Sequence, residues 1–376
     1  MSICDEYFLN ERNFTMSRLT KLYDGITRYA GVPTEQTTGR LHYNENLYGP
    51  SPKCLETLKE TTMTDLYLYE STAKEDLIEA LSKKIGLPEE TLFLNNGSAE
   101  NLKSIIGVIA RPGDTVMLPD PGWSYYFGLA DYRFLNIVKY QISEGETKCD
   151  HNVKNLHAMI EKYDPKIVLI ASPAMPTGNK MADEELEDLI RSYPNTLMLI
   201  DEAYYGFADY TLDVCRLIES YDNVVFSRTF SKYYGLANLR IGYGFCSTTL
   251  KKVLWLDMPL HRLPHIVKRM AIAALEDDEY YDDVRIKILR ARKKFSDALN
   301  RLDGVQVLES DTNFVYIRLI GYDVDQIQRV ANEHGFLIRI FVGNAEKHLR
   351  VTIGTEEMME ELTRILVPAI KAAKVS

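Results

Sequence analysis

The chain has 376 residues, 45% hydrophobic and 26% charged, which suits a globular protein of two domains or one large domain with an appendage. A net charge of −10 excludes a general electrostatic attraction to nucleic acid or anionic membranes, so any bound phosphate needs a local site. The five cysteines form no CxxC pair, the seven histidines show no metal-ligand spacing, and no apolar run reaches membrane-spanning length; the scattered thiols and an N-terminus without a signal pattern point to the cytoplasm.

Residues 1–40 show little periodicity and are expected to form an arm packed on a neighbouring domain or a partner subunit. Tyr69 ends the run Leu66-Tyr-Leu-Tyr69, ahead of a helix expected over Lys74–Ile85; it could reach a phosphate or be ordinary packing. The apolar run Leu92–Leu94 leads into Asn96-Gly-Ser-Ala-Glu-Asn101 and an apolar helix, Leu102–Ala110. Gly97 permits a tight turn there, and the N–H groups of a helix start favour an anion; Ser98 suits both helix capping and phosphate binding. A strand over Val116–Leu118 precedes Pro121-Gly-Trp-Ser-Tyr-Tyr126, whose Trp123 could stack on a planar ring or fill a core.

The β-branched runs Ile167–Ala171, Thr196–Ile200 and Asn223–Phe226 read as buried strands, separated by amphipathic stretches such as Asn155–Tyr163 and Asp183–Ser192. This alternation predicts a mostly parallel sheet with helices on both faces, and a ligand beyond the carboxyl ends of its strands. Asp201 and Tyr204 follow one such run, where Asp201-Glu-Ala-Tyr204 also fits a plain strand-to-loop turn with a helix cap. The most informative stretch is Ser227-Arg-Thr-Phe-Ser-Lys-Tyr-Tyr-Gly-Leu-Ala-Asn-Leu-Arg240. Its Lys232 sits between hydroxyls and glycine, where a lysine can form a Schiff base with an aldehyde, and Thr229, Ser231 and Arg240 could hold a phosphate beside it. Pyridoxal 5′-phosphate carries both groups, and Asp201 could then pair with its pyridine nitrogen and Tyr204 with its ring oxygen.

From about residue 250 the pattern changes. A long helix is expected over 266–302, then strands at Val305–Leu308, Phe314–Ile317, Phe336–Ile340 and Leu349–Ile353, and a final helix over Met358–Ala373, together a smaller α+β domain. Arg350 lies inside an apolar strand, which is expensive unless the charge meets a carboxylate of the protein or of a substrate. Arg339 repeats the pattern on the preceding strand.

Taken together in this order, the segments from about Leu41 to Glu357 resemble the fold-type-I pyridoxal-phosphate aminotransferases, specifically the histidinol-phosphate aminotransferase-like group. The resemblance includes Tyr43-Asn-Glu-Asn-Leu-Tyr-Gly-Pro-Ser-Pro52, Gly97–Glu100, Trp123, Asp201–Tyr204, Ser231–Arg240 and Leu349-Arg-Val-Thr-Ile-Gly-Thr355. It implies an α/β large domain (41–250) with a mostly parallel seven-stranded sheet, an α+β small domain (251–376) and a homodimer with shared sites. It makes Lys232 the Schiff-base lysine and proton shuttle, with Asp201 and Tyr204 on the cofactor ring and Trp123 stacked on it. Ser98, Ala99, Thr229, Ser231 and Arg240 would cradle the phosphate, joined by Tyr69 of a neighbouring subunit. Arg350, assisted by Arg339 and Asn46, would bind substrate.

Three departures stand out. Met175, in Ser172-Pro-Ala-Met-Pro-Thr-Gly178, replaces an asparagine that donates to the ring oxygen in the family, and a thioether cannot donate. Leu47 replaces a usual proline, and Leu68 an arginine. Transamination is the leading expectation, with decarboxylation of a phosphorylated amino acid, or elimination and cyclisation, as alternatives on the same scaffold. A cofactor-sensing regulator would need a DNA-binding segment, and neither a basic nor a helix-turn-helix segment is visible.

Overall fold

In the computed structural model, residues 38–69, 76–257, 263–343 and 346–375 are described. Nearly all of the expected arm, and the start of the helix expected at Lys74, lie outside these residues. The strands in chain order are β1 (Gly39–Arg40), β2 (Leu92–Asn95), β3 (Thr115–Asp120), β4 (Asn136–Gln141), β5 (Ser143–Glu144), β6 (Cys149–Asp150), β7 (Ile167–Ala171) and β8 (Leu197–Asp201). They continue with β9 (Val224–Thr229), β10 (Gly242–Cys246), β11 (Val305–Val307), β12 (Phe314–Leu319), β13 (Phe336–Leu337), β14 (Arg339–Gly343) and β15 (Glu346–Thr352).

Seven strands form one sheet in the order β2-β10-β9-β8-β7-β3-β4. All neighbours are parallel except those of β10, which runs antiparallel to β2 and β9. Central strands β7 (IVLIA) and β8 (LMLID) are buried along their whole length, as a sheet covered on both faces requires. Register aligns Ala171, Asp201 and Ser227 across three strands, so β7 and β8 end level with each other at one rim and β9 runs two residues beyond, to Thr229. Edge strand β4 has no counterpart among the sequence expectations: its solvated positions, including Lys139, break the apolar run that marks the inner strands.

The small domain is an antiparallel sheet, β11-β12-β15-β14, with the helices Asp278–Leu299, Val324–Glu333 and Glu356–Ala372. Its core joins Phe295, Phe314, Leu349, Leu362 and Leu366. Two expectations change in detail. The helix expected over 266–302 is two, His265–Leu275 and Asp278–Leu299, because Asp277 leaves helical geometry and its carboxylate takes Ser51 Oγ and, at 2.7 Å, Lys53 Nζ. The strand expected over Phe336–Ile340 changes partner at Ile338: β13 pairs with β1, and β14 pairs with β15. A Cβ on Gly39 would stand 2.6 Å from the Phe336 ring, so glycine is what lets β1 dock there.

Side-chain packing changes over later than the 250/251 boundary. Leu250, Met270, Leu275 and Tyr281 pack with the large sheet, and Val284 and Ile288 with the small one, so the helix Asp278–Leu299 spans the joint. Leu41 also packs with the small sheet. Among the described residues no helix is long and apolar enough to cross a membrane.

At the rim of the large sheet, Arg228 Nε meets Glu202 Oε2 at 2.6 Å with both side chains almost fully buried, and the Arg228 guanidinium lies over the Tyr205 ring. Removing one partner strands the other charge out of water. Glu202→Leu should lower stability in urea unfolding by about 3–5 kcal/mol, whereas adding Arg228→Met should recover most of the loss. Equal unfolding midpoints for Glu202→Leu and the parent would contradict this account of the rim.

Candidate active site

A cavity of about 660 Å³ opens where the carboxyl ends of β8 and β9 face the small sheet. Asp201, the last residue of β8, forms its floor and is 4% exposed. The Tyr126 hydroxyl donates to Asp201 Oδ2 at 2.7 Å and the Ala203 N–H to Oδ1 at 3.2 Å. Burial pushes the carboxyl up to about 6, against the pull of these two donors. Nothing local in the sequence marks Tyr126 as Asp201's partner, because the two residues lie 75 apart in the chain.

Lys232 follows β9 and reaches into the same cavity, where its Nζ donates to the Tyr43 carbonyl at 2.7 Å. Burial first, then Arg350, lower its amine to about 8. The Thr229 hydroxyl accepts from the Ser231 N–H at 3.1 Å and lies 2.9 Å from Ser231 Oγ; Arg240 Nη1 lies 3.3 Å from the same oxygen. Gly97, at φ +82, is the N-cap of the helix Ser98–Ile109, so the Ser98 hydroxyl is not used in capping. A Cβ on Gly97 would stand 2.4 Å from Arg240 Nη2. The glycine therefore admits the guanidinium to the helix start, where the first amides have no intrahelical acceptor. Trp123 lines the cavity beside Tyr125 and Tyr126.

The small sheet supplies the opposite wall. Arg350 of β15 is the register partner of Arg339 on β14, and both line the cavity. Arg350 Nη2 donates to the His42 carbonyl, and its Nη1 lies 3.2 Å from Met175 Sδ. Between the walls, Asn44 Nδ2 donates to the Tyr204 hydroxyl at 2.8 Å, while Thr352 Oγ1 donates to Asn44 Oδ1 at 3.0 Å. A hydroxyl can accept one bond and donate another. Asn44 is a partner of Tyr204 that the sequence does not reveal; its only local sign is a positive φ of 56°, visible in the structure alone.

Two expected residues stand elsewhere. The Asn46 amide donates to the Tyr233 carbonyl at 2.9 Å and its oxygen accepts from the Tyr48 N–H, so it fastens a loop and does not line the cavity. Tyr69 is 80% exposed and does not line this chain's cavity. The remaining expected residues, Lys232, Asp201, Tyr204, Ser98, Ala99, Trp123, Thr229, Ser231, Arg240, Arg339 and Arg350, all line it.

The donor set fits pyridoxal phosphate. One end offers hydroxyls, a guanidinium and helix amides in a cradle that a Cβ at Gly97 would fill; the floor offers a carboxylate, and Lys232 a depressed amine. Lys232→Ala should abolish the visible absorbance band of the bound cofactor, and an unchanged band would refute the assignment. For Asp201, a folded pKa above the unfolded value makes the cofactor-free fold lose stability as pH rises from about 4 to 6. Asp201→Asn should therefore raise cofactor-free stability at pH 7 by up to about 3 kcal/mol while weakening cofactor binding. Thermal unfolding at pH 4 and pH 7 checks this, and a variant less stable than the parent at pH 7 would contradict it.

The aminotransferase class I and II family model matches residues 39–366. Histidinol-phosphate aminotransferase 1 of Bordetella parapertussis is 31% identical over 330 residues, covering 86% of this chain and 90% of that protein. The histidinol-phosphate aminotransferase of Haloferax volcanii is 31% identical over 344 residues, 91% of this chain and 92% of its own length. Among solved structures, histidinol-phosphate aminotransferase from Sinorhizobium meliloti in complex with pyridoxal-5′-phosphate superposes with a TM-score of 0.85 at 25% identity, covering 95% of this chain and 98% of that one. With the match spanning both sheets and the cavity between them, the chain belongs to the class I and II aminotransferases and is a pyridoxal-phosphate-dependent aminotransferase.

Proposed function

We propose that this aminotransferase takes amino donors carrying a distal phosphate, histidinol phosphate being the one named in its relatives, and works as a cytoplasmic homodimer with shared sites. The observation that carries the substrate reading is the pairing of Arg350 and Arg339 on adjacent strands, facing a cavity that also holds Lys232. Two guanidinium forks on one wall suit a phosphate, whose oxygens accept bidentate bonds.

When bound, pyridoxal phosphate supplies the electron sink for charge that develops at the donor's α-carbon. Lys232 takes the proton from that carbon and later returns one; an amine near 8 has a useful neutral fraction at physiological pH. Asp201, anchored by Tyr126, would hold the positive pyridine nitrogen, and Tyr204, oriented by Asn44, would donate to the ring oxygen. Arg240, Ser231, Thr229 and the amides of Ser98 and Ala99 would hold the phosphate, and Trp123 would pack on the ring.

Leu55, Met63, Leu66, Tyr67 and Leu68 are all exposed on the segment that ends at Tyr69. An apolar surface of this kind supports burial against a second copy, with Tyr69 reaching the partner's phosphate end. Free thiols at Cys54, Cys149, Cys215 and Cys246 support a reducing compartment. Met175 against Arg350 favours one second reading, decarboxylation or elimination, because the ring oxygen loses the asparagine donor typical of the family.

Arg350→Ala should lower kcat/KM for histidinol phosphate by about a hundredfold, the scale of a lost charge-assisted bond pair. Carbon dioxide or ammonia released without amino transfer would favour the second reading instead. Mixing inactive Lys232→Ala with Tyr69→Ala subunits should regenerate activity, since each mixed dimer holds one site with both residues intact. No regain, or a single-chain mass in sedimentation, would contradict the shared site.

A further inference from the structure

The loop that follows β1 carries a histidine the mechanism does not use. His42 lines the cavity, is 2% exposed, and among the described residues neither of its ring nitrogens has a hydrogen-bond partner. Burying an imidazole without a partner is expensive unless a ligand supplies one. Its neighbours are charged. Arg40 precedes it by two residues, Arg350 donates to the His42 carbonyl, and Arg339 is Arg350's register partner; all three line the cavity. Arg40 Nη2 pairs with Glu45 at 3.0 Å, and its buried Nε has no partner among the described residues.

Counting this end of the cavity, three guanidinium charges stand against the one carboxylate of Glu45, leaving two positive charges. That balance matches a phosphate monoester, which carries about −1.5 to −2 near neutral pH. We infer that His42 is a specificity-determining residue, donating a ring N–H to the distal phosphate of the amino donor beside Arg40, Arg339 and Arg350. The inference rests on the reading of Arg350 and Arg339 as anion-binding residues. Burial, with Arg40, Arg350 and Arg339 around it, pushes the His42 ring down to about 4, so at neutral pH it adds a directed donor without a fourth charge. A single neutral donor also explains why the ring can sit among three cations: a protonated imidazole would repel them all.

The test uses the holoenzyme with L-histidinol phosphate and L-histidinol as alternative amino donors. In the parent, kcat/KM should favour the phosphorylated donor. His42→Leu should reduce that preference about tenfold or more, the effect of one hydrogen bond to a charged group, and His42→Gln, which keeps an N–H donor, should restore part of it. Retention of the visible cofactor band reports that each variant is folded. Independently of any variant, titrating the parent holoenzyme with inorganic phosphate should shift the His42 ring resonances saturably. Variants that keep the full preference, or resonances that do not move, would overturn the role of His42. Equal losses with both donors would also overturn it, since they would make His42 structural. A parent enzyme with no preference for the phosphorylated donor would instead contradict the anion-binding reading on which the inference rests.

Discussion

Desolvation of two opposite charges at one rim governs this structure. Asp201 ends β8 and Lys232 follows the neighbouring β9, both lining one cavity; Asp201 is buried and Lys232 half-buried, and each is driven toward its neutral form: the carboxyl up to about 6, the amine down to about 8. A protein selected for stability alone would fill this space with apolar side chains. Here the large sheet keeps both groups and holds them with fixed partners, Tyr126 on one and the Tyr43 carbonyl on the other. The mismatch between these groups and their surroundings is what a cationic ring and an aldehyde would relieve.

The rest of the fold follows from keeping that arrangement in place. The parallel register of β7, β8 and β9 sets Asp201 beside Ser227, and the buried Arg228–Glu202 pair fixes the turn immediately behind Asp201. The small sheet adds what the large one lacks, a wall of arginines and the Thr352–Asn44–Tyr204 chain that ties its strand β15 to the floor of the site. The segment around residues 40–46 runs between the two walls, and the helix Asp278–Leu299, the Glu144–His348 pair and the Lys180–Asp311 bond also hold the two sheets together.

Much of this was legible in the sequence. Lys232, Asp201, Arg240 and Gly97 stand out by their joint occurrence in chain order, close to short apolar runs that read as strands. The supporting partners were not legible. Tyr126 is one of 24 tyrosines, and its meeting with Asp201 depends on the order of strands in the sheet. Asn44 and Asn46 sit in the same short motif, yet one carries the Tyr204 hydroxyl and the other fastens a loop, a distinction set by a positive φ that composition does not encode. The helix break at Asp277 had the same origin: the residue leaves the helix to meet Ser51 and Lys53, more than two hundred positions away. Edge strand β4 escaped because its exposure erased the periodic signal.

The central claim is that one amine, at the end of β9, forms the covalent bond to the cofactor. Reducing the holoenzyme with borohydride, digesting it and sequencing the labelled peptide by mass spectrometry tests this directly. The account predicts a single pyridoxyl modification, on Lys232. Label on another lysine, or an unlabelled Lys232 peptide from fully loaded enzyme, would contradict it.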